Sequence, residues 1–228
     1  MSQEKIQNPK CVGIIMDGNR RWAVERSLNT LDGHKKGSEA FGDIVREVRD
    51  SEITDAIFYA FSTENWGRSE KEVKYLMNLL DKVIEKLLKD TKEDKVRVRV
   101  IGETERLSDK AQKLIVELEE KSAEYETTIW VAISYGGRAE IIEAVNEAVE
   151  KGEKVTEESF ANLLWTAEMP DPDLIIRTSG EQRLSNFLPW QSVYSELFFT
   201  DVYWPDFGKE EFWGILEEYG ERKRRKGK

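Results

Sequence analysis

The chain has too little cysteine and histidine for disulfides or for metal centres built from nitrogen and sulfur ligands. Its 228 residues include one cysteine, Cys11, and one histidine, His34. One cysteine cannot close an intrachain disulfide, and the pair cannot complete a structural zinc site, so the sequence indicates an intracellular protein. Sites in which carboxylates hold a hard cation such as Mg²⁺ stay compatible with this composition.

Long apolar runs and flexible tracts are also scarce. No stretch of about 18 apolar residues exists, and the polar start lacks the apolar core of a signal peptide, so we expect a cytoplasmic protein. Only 5 prolines and 15 glycines are present, with no linker and no internal repeat. This predicts one domain over 1–228, with polar or basic tails at 1–10 and 222–228. The 39% hydrophobic content indicates a globular core.

Positive charge is in deficit. Lysine and arginine total 35 against 45 aspartates and glutamates, a formal charge of −10, which opposes broad association with nucleic acid. Any anionic ligand must therefore meet a local basic cluster. The segment 222–228 is one such cluster; a solvated tail is the simplest interpretation, and peripheral contact with anionic lipid headgroups of a membrane is the alternative.

Several motifs of phosphate and hydrolase chemistry are missing. The sequence has no G-x-x-x-x-G-K-[ST], no G-x-G-x-x-G, no G-x-S-x-G and no D-D-x-x-D. Nucleoside triphosphate hydrolysis, dinucleotide binding and serine hydrolase chemistry therefore lose support. The same holds for all-helical enzymes that bind Mg²⁺ through paired aspartates.

Predicted strands and helices alternate along the chain. Apolar runs predict buried strands at 11–16, 57–61, 96–101, 128–133 and 174–176. Apolar residues at helical spacing predict helices at 41–48, 73–88, 107–125, 139–149 and 157–164. We therefore expect an α/β domain with a mostly parallel sheet covered by helices on both faces. The apolar stripes of 41–48 and 73–88 fit ordinary core packing, and they equally fit the lining of a hydrophobic tunnel.

Polar residues follow the first predicted strand, at the edge where ligands bind in open α/β sheets. The segment 17–21, DGNRR, combines a carboxylate, a glycine and two guanidinium groups at a predicted helix start. Helix N-terminal N–H groups and arginines hold phosphates, and a carboxylate binds Mg²⁺. Taken alone, the segment is equally explained by Asp17 capping a helix while Arg20 and Arg21 face water.

Arginines near other strand ends favour the phosphate interpretation. Arg177 and Arg183 lie in a second cationic, hydroxyl-rich loop, and Arg68 and Arg138 follow two further strands. Several arginines at one rim of an acidic protein indicate more than one diphosphate. His34 is surrounded by glycines and lysines, so it is a candidate donor, although a lone histidine is more often structural.

These residues lie in ordered segments that extend over nearly the whole chain. The segments are 16–23 (MDGNRRWA), 33–37 (GHKKG), 59–66 (YAFSTENW), 176–187 (IRTSGEQRLSNF), 196–199 (ELFF) and 204–207 (WPDF). Together they resemble the cis-prenyltransferases, the family of undecaprenyl diphosphate synthase and dehydrodolichyl diphosphate synthase.

The resemblance implies an Mg²⁺-dependent homodimer that repeatedly condenses isopentenyl diphosphate onto an allylic diphosphate primer, such as farnesyl or geranylgeranyl diphosphate, forming Z double bonds. It implies a medium-length product resembling undecaprenyl diphosphate, because members making short products tend to carry a bulkier residue at the position of Ala60. Such a lipid product also suggests contact with a membrane surface. The alternative is a non-catalytic accessory subunit of a heteromeric cis-prenyltransferase, but such members usually lose the Asp-Gly-Asn-x-Arg loop, which this chain keeps. A generic phosphate-binding hydrolase leaves 59–66 and 176–187 unexplained.

The resemblance also implies roles for individual residues. Asp17 is the essential carboxylate that works with Mg²⁺, and Glu196 is the metal-linked glutamate that acts near the partner subunit's site. Asn65 is the second catalytic candidate, while the group that removes the proton stays open. The substrate-binding candidates are Gly18, Asn19, Arg21 and His34 for the primer, Arg177, Arg183 and Ser185 for isopentenyl diphosphate, Ser62, Trp66 and Arg68 in the reaction region, and in addition Arg20 and Trp22.

Two positions depart from the family's pattern. Thr30 stands where a diphosphate-binding arginine is frequent, so Arg26 or Lys35 is a candidate substitute. Gln182 stands where some bacterial members have a histidine close to the metal. Because glutamine is a weak metal ligand, we leave Gln182 out of the site.

Overall fold

A computed structural model describes residues 8–152 and 154–222 of the chain. Its strands are β1 (Cys11–Ile15), β2 (Asp55–Ser62), β3 (Arg97–Ile101), β4 (Thr128–Tyr135), β5 (Leu174–Arg177) and β6 (Glu196–Phe199). Its α-helices are α1 (Asn19–Glu25), α2 (Thr30–Arg49), α3 (Glu70–Asp94), α4 (Asp109–Ser122), α5 (Gly137–Lys151), α6 (Glu157–Ala161) and α7 (Lys209–Glu221). Short 3₁₀ helices lie at Thr63–Gly67, Thr104–Arg106 and Trp204–Asp206.

The strands form one sheet in the order β3-β4-β2-β1-β5-β6, and every neighbouring pair is parallel. This confirms the prediction of a single-domain α/β fold with a parallel sheet. Ile15, the last residue of β1, pairs with Tyr59 on one side and Arg177 on the other. The segments that follow β1, β2 and β5 therefore leave the sheet at the same edge.

Alternate strand residues pack on opposite faces of the sheet, as expected for strands buried on both sides. Val12 and Ile14 belong to a large cluster formed with α2, α3, α4 and α7. Cys11 and Ile15 belong to a second cluster, which contains Phe187 from the segment between β5 and β6. The long amphipathic helices thus cover the first face, while residues 165–169 and 184–188 cover the second. Helices α5 and α6 pack together in a third, smaller cluster.

Some elements differ from the sequence prediction. Helix α2 begins at Thr30, eleven residues before the predicted start, because the polar, glycine-containing first turns show no apolar periodicity. Asn29 caps this helix by accepting a hydrogen bond from the Leu31 N–H (3.0 Å). Neither β6 nor α7 was predicted from the sequence.

Most of the two predicted tails, including the basic residues after Arg222, lies outside the described residues. The innermost tail residues contact the domain: the Lys10 N–H donates to Asp173 Oδ2 (2.8 Å), and Arg222 Nη1 donates to Glu196 Oε2 (3.0 Å). Among the helices described, none is both long and apolar enough to span a bilayer.

Candidate active site

Asp17 lies directly beyond β1, at the carboxyl edge of the sheet. Its backbone N–H donates to Thr178 Oγ1 (2.9 Å), and its carbonyl accepts from the Trp204 N–H (3.0 Å). Its Oδ1 accepts from the Gly18 N–H (2.7 Å), and its Oδ2 accepts from Arg177 Nη2 (2.8 Å). The side chain is nevertheless 32% exposed, so the carboxylate is held in place but open to a ligand.

Gly18, and not Asp17, is the N-cap of α1, and no side chain makes a capping bond there. The helix-capping explanation of Asp17 is therefore wrong. Gly18 has a φ of 106°, a left-handed conformation that side chains rarely adopt. An added Cβ would also lie 2.7 Å from Tyr203 Cδ1 and 2.8 Å from Ser179 Cβ. The glycine thus allows α1 to start beside the loop that follows β5.

The segment 33–37 brings α2 against the first turn of α1. A Cβ on Gly33 would lie 1.9 Å from the carbonyl oxygen of Asn19, and one on Gly37 would lie 2.1 Å from Asn19 Oδ1. Asn19 Oδ1 and His34 Nε2 are buried and have no hydrogen-bond partner among the described residues. Buried polar groups are normally paired, so the unpaired His34 nitrogen, in a residue that lines the neighbouring cavities, is a candidate ligand contact. Asn19 Oδ1 packs against Gly37 and can only accept a hydrogen bond.

His34 is neutral at neutral pH. Burial of the imidazole, reinforced by the positive charge of Arg68, lowers its pKa to about 4. A neutral imidazole carries one N–H donor and one acceptor. His34 can therefore donate a hydrogen bond to a phosphate oxygen without itself carrying charge.

Arg177 connects Asp17 with the loop that follows β5. Its side chain is only 4% exposed. Nη1 donates to Ser185 Oγ (2.7 Å) and to the carbonyl oxygen of Arg183 (2.5 Å), while Nη2 donates to Asp17. One buried guanidinium thus fixes the carboxylate and shapes the second cationic loop.

The remaining arginines of the site pair with carboxylates. Arg68 Nη1 lies 2.8 Å from Glu72 Oε1, and Arg20 Nη1 lies 3.7 Å from the same oxygen. Arg21 Nη1 lies 3.1 Å from Glu181 Oε1 and also donates to the carbonyl oxygen of Ser179 (3.1 Å). Arg183 pairs with the other carboxylate oxygen of Glu181.

Two polar cavities at this edge collect most of the predicted site residues. One, of about 550 Å³, is lined by Asp17, Gly18, Asn19, Arg20, Arg21, Thr30, His34 and Arg68, among others. The other, of about 540 Å³, is lined by Asp17, Asn19, His34, Ser62, Asn65, Arg68, Arg177 and Ser185, among others. The shared residues make the two cavities parts of one cleft.

Ser62 and Asn65 also hold the local backbone. Asn65 Oδ1 accepts from the Ser62 N–H (3.1 Å), and the two residues form a reciprocal capping box on the 3₁₀ helix Thr63–Gly67. A capping box satisfies two N–H groups that a helix end otherwise leaves unpaired. Asn65 therefore has a structural role in addition to lining the cleft.

Three predicted site residues lie beside the cleft rather than in its lining. Trp22 Nε1 donates to Asp206 Oδ1 (2.7 Å), which holds α1 against the Trp204–Asp206 turn. Trp66 Nε1 donates to Ser134 Oγ (2.9 Å), and the Trp66 ring packs against Phe61. Arg183 is 60% exposed at the rim.

Neither candidate substitute for an arginine at position 30 lines the cleft. Arg26 Nη2 pairs with Asp206 Oδ2 (2.7 Å), and its guanidinium lies over the Trp22 ring. Lys35 is exposed on α2 and is not among the lining residues. Arg20, by contrast, lines the same cavity as Thr30.

Glu196 lies at the opposite end of the sheet from Asp17. It is the first residue of β6 and pairs with Leu174, whereas Arg177 at the other end of β5 contacts Asp17. Three residues of strand separate these levels by about 10 Å. Within the described residues, Glu196 and Asp17 are not brought together, so a metal role for Glu196 at a partner subunit's site stays a prediction.

The donor set at Asp17 suits Mg²⁺. No group of three or more histidine, cysteine, aspartate or glutamate side chains in 8–152 and 154–222 is arranged to hold a metal ion. Mg²⁺ commonly binds through one or two carboxylates together with water and substrate phosphates, without an all-protein cage. A single exposed carboxylate beside a diphosphate-sized polar cleft fits that pattern.

An apolar cavity of about 130 Å³ adjoins the polar cleft, and the two share Met16, Asn19, His34 and Ala60. Phe41 from α2 and Leu76, Leu80 and Val83 from α3 line it. Ala60 is the most exposed residue of β2 and lines this space. The apolar stripes of α2 and α3 therefore serve both the core and this cavity.

Sequence reasoning missed Glu72 and Glu181, the carboxylates that pair with the arginines. Glu72 stands four residues after Arg68, a helical ion-pair spacing that could have indicated the contact. For Glu181 and Arg21 no such signal exists, because the two lie on separate segments that only the fold brings together.

A family model described as "Putative undecaprenyl diphosphate synthase" matches residues 15–227. An isoprenyl transferase of Thermotoga maritima is 45% identical over 225 residues, covering 96% of this chain and 97% of the relative. An isoprenyl transferase of Aquifex aeolicus is also 45% identical over 225 residues, covering 98% of this chain and 97% of the relative.

Solved structures of two related proteins share the fold. One is lavandulyl diphosphate synthase from Lavandula x intermedia in complex with dimethylallyl diphosphate, with a TM-score of 0.93, 32% identity and coverage of 99% of this chain and 100% of the other. The second is a probable undecaprenyl diphosphate synthase from Campylobacter jejuni, with a TM-score of 0.83, 33% identity and coverage of 97% and 100%. With sequence and fold matched over almost its whole length, this chain belongs to the cis-prenyltransferase family, the prenyltransferases related to undecaprenyl diphosphate synthase.

Proposed function

We propose that the chain is an Mg²⁺-dependent cis-prenyltransferase that repeatedly condenses isopentenyl diphosphate onto an allylic diphosphate primer and makes a medium-length Z-polyprenyl diphosphate. One observation carries this proposal: the carboxylate of Asp17, bonded to buried Arg177, borders a polar cleft that adjoins an apolar cavity. A substrate with a diphosphate head and a hydrocarbon tail matches both parts of this space.

The two sides of the cleft suit two diphosphates. Asn19, Arg21 and His34 lie on α1 and α2 and would hold the primer, with His34 Nε2 as a buried ring nitrogen that has no partner among the described residues. Arg177, Arg183 and Ser185 would hold isopentenyl diphosphate. Fixed guanidinium groups stabilise negative charge as the primer's diphosphate departs, without reorganising during the reaction.

Asp17 would hold the magnesium ion together with the oxygens of a substrate diphosphate. When bound, Mg²⁺ supplies charge stabilisation to the diphosphate. Arg177 keeps the Asp17 carboxylate at the sheet edge, and the Gly18 N–H orients its other oxygen. Asn65 is kept as a second catalytic candidate on the opposite wall.

The apolar cavity would take the first isoprene units of the growing chain. Ala60 leaves room beside Phe41 and Leu76, which supports a product longer than those of short-chain members. A continuous tunnel along α3 is part of this proposal.

A homodimer completes the proposal, because Glu196 would act near the partner subunit's site. Exposed apolar side chains directly before β6 support such an interface: Val193 and Tyr194 are 69% and 77% exposed. Exposed apolar surface of this kind commonly marks a protein interface. Sedimentation equilibrium would measure twice the mass of the chain, and a monomer at micromolar concentration would contradict the dimer.

The proposal is tested with the purified chain alone, farnesyl diphosphate, radiolabelled isopentenyl diphosphate and Mg²⁺. We expect label in a dephosphorylated product with a ladder of medium chain lengths, and no product after Mg²⁺ is chelated. Absence of product, with activity appearing only when a second subunit is added, would instead identify an accessory subunit.

A further inference from the structure

Every arginine that lines or borders the cleft is already paired with a carboxylate of the chain. Arg177 pairs with Asp17, Arg68 and Arg20 pair with Glu72, and Arg21 and Arg183 pair with Glu181. Arg21 Nη2 also lies 3.4 Å from Asp17 Oδ2, so both Asp17 and Glu181 join arginines that the proposed function assigns to different diphosphates. Of the two carboxylates, Glu181 is the one that the proposed function leaves without a role. It uses one oxygen for each guanidinium.

The backbone holds Glu181 in this position. Ser179 and Gly180, directly before it, have φ values of 78° and 75°, a left-handed turn that bends the loop back toward α1. The Ser179 N–H donates to the Val202 carbonyl, and the Gly180 N–H donates to the Thr200 carbonyl, both at 2.8 Å. The position of the carboxylate therefore follows from an anchored turn and not from a flexible side chain alone.

These ion pairs are open to an incoming anion. The side chains of Glu181, Arg21 and Arg183 are 31%, 43% and 60% exposed, whereas Arg177 is 4% exposed. Arg21, Arg177 and Arg183 carry three positive charges, and Asp17 and Glu181 carry two negative charges. The net charge of this group is +1, which is smaller than the negative charge of a diphosphate. A diphosphate that enters competes with Glu181 for the guanidinium groups of Arg21 and Arg183.

We propose that Glu181 is an exchange counter-ion: it occupies Arg21 and Arg183 in the empty site, competes with bound diphosphate, and thereby weakens retention of inorganic pyrophosphate after each condensation. The inference rests on the proposed function, in which every cycle releases one pyrophosphate. An arginine cradle without a competing carboxylate would hold that product more tightly, because charge-assisted hydrogen bonds to phosphate are strong.

The test measures binding of inorganic pyrophosphate by isothermal titration calorimetry, with Mg²⁺ and without it. Glu181→Gln keeps the size of the side chain and one oxygen acceptor, removes its charge, and leaves one of the two guanidinium contacts without an acceptor. We expect its pyrophosphate dissociation constant to be about three- to tenfold lower than that of the unmodified chain at low salt. The gain should shrink at high ionic strength, because these groups are partly exposed.

Glu85→Gln is the matched control. It makes the same charge change at a distant position, because Glu85 lies on α3, about 20 Å along the helix from Glu72. Glu85 pairs with Lys110 on α4 (2.9 Å). We expect its pyrophosphate affinity to change less than twofold. In the Arg183→Gln background, Glu181→Gln should give a smaller gain than in the unmodified chain, since one of the two competing pairs is already gone.

Equal or weaker pyrophosphate binding by Glu181→Gln, with unchanged far-ultraviolet circular dichroism, would overturn the inference. If Glu181→Gln does not fold, Glu181→Ala is measured instead, and it too should bind pyrophosphate more tightly than the unmodified chain. If the unmodified chain binds pyrophosphate and Glu181→Gln does not increase the affinity, this inference is wrong and the proposed function is unaffected. A chain that does not bind pyrophosphate at all removes the proposed function as well.

Discussion

At the scale of single residues, Arg177 and Arg183 carry the same charge in the same loop but occupy different environments. Arg177 is 4% exposed and bonds Asp17, Ser185 and the Arg183 carbonyl, whereas Arg183 is 60% exposed. We expect Arg177→Ala to lower the free energy of unfolding by about 2–4 kcal/mol, because it removes a buried guanidinium with three hydrogen bonds and leaves its space unfilled. Arg183→Ala should cost less than about 1 kcal/mol.

Both substitutions should raise the KM for isopentenyl diphosphate by about one to two decades, because each removes a charge-assisted contact. Urea unfolding and steady-state kinetics on the two variants check the prediction. Equal losses of stability would show that the burial of Arg177 has no energetic consequence.

His34 gives a prediction for pH. Its pKa is about 4 in the folded chain, mainly because of burial, against about 6.5 in an unfolded chain. Between these values the unfolded state binds more protons, so the contribution of His34 to stability is complete above about pH 6.5 and is lost as pH falls toward 4. The free energy of unfolding, measured with urea, should therefore fall more steeply as pH drops from 6.5 to 4 in the unmodified chain than in His34→Gln.

Because His34 is the one histidine in the sequence, its imidazole proton resonances can be followed without assignment. A pKa near 6.5 by this titration would contradict the buried, neutral state. Added inorganic pyrophosphate should raise the measured pKa, since nearby negative charge favours the imidazolium.

The sequence was sufficient to find the residues at strand ends, but it could not give their partners. Asp17, Arg177 and Ser185 were predictable because the carboxyl edge of a parallel sheet collects the segments that follow its strands. That Arg177 is buried and bonded to Asp17, or that Glu181 lies between Arg21 and Arg183, depends on contacts across about 160 positions of sequence. No local pattern records such contacts.

At the scale of elements, the packing of α1 on α2 depends on glycine. Gly33→Ala would force a Cβ against the Asn19 carbonyl oxygen, and we expect a loss of about 1–3 kcal/mol in unfolding free energy together with weaker primer binding. Gly42→Ala is the matched control on the same helix, since its Cβ would meet only Arg46 Nη1 at 3.7 Å.

The control should be stabilising by about 0.5–1 kcal/mol, the usual advantage of alanine over glycine inside a helix. Thermal and urea unfolding of both variants check this pair. Equal changes in the unfolding free energy of Gly33→Ala and Gly42→Ala would mean that the close contact between α1 and α2 does not constrain position 33.

The cavity between β2 and α3 predicts product length. Ala60→Leu adds volume where Ala60 faces Phe41 and Leu76, so elongation should stop early while the first condensation, beside Asp17, continues. Thin-layer chromatography of the dephosphorylated products measures the distribution. An unchanged distribution in a folded variant would show that Ala60 does not set product length and would place the determinant along α3.

Periodicity predicted the long elements well and failed on the rest for identifiable reasons. Helix α7 carries buried Phe212, Ile215, Leu216 and Tyr219 at helical spacing, a signal that was present in the sequence but not used. Strand β6 has four residues, too few for any period to be measured. The start of α2 is hidden because Gly33 and Gly37 face α1 without an apolar side chain.

At the scale of the whole molecule, the sheet order could not be derived from the sequence. The spacing of strands predicts that they are parallel but leaves their order open, and β1 is central here although it comes first in the chain. The location of the site did not require the order, because every parallel strand ends at the same edge. Glu196 begins a strand and therefore lies at the other edge, so its proposed role depends on a second copy.

The central claim is that the carboxylate of Asp17 is needed for condensation and not for the fold. The most direct measurement is the rate of radiolabelled isopentenyl diphosphate incorporation at saturating Mg²⁺ by Asp17→Ala and Asp17→Asn, with exposed Asp43→Asn as the control. We predict a loss of about 100-fold or more in both Asp17 variants and normal activity in the control. Thermal midpoints should fall by about 5–15 °C, because buried Arg177 loses its carboxylate partner, with a cooperative transition kept. Near-normal turnover in a folded Asp17→Ala variant would contradict the account.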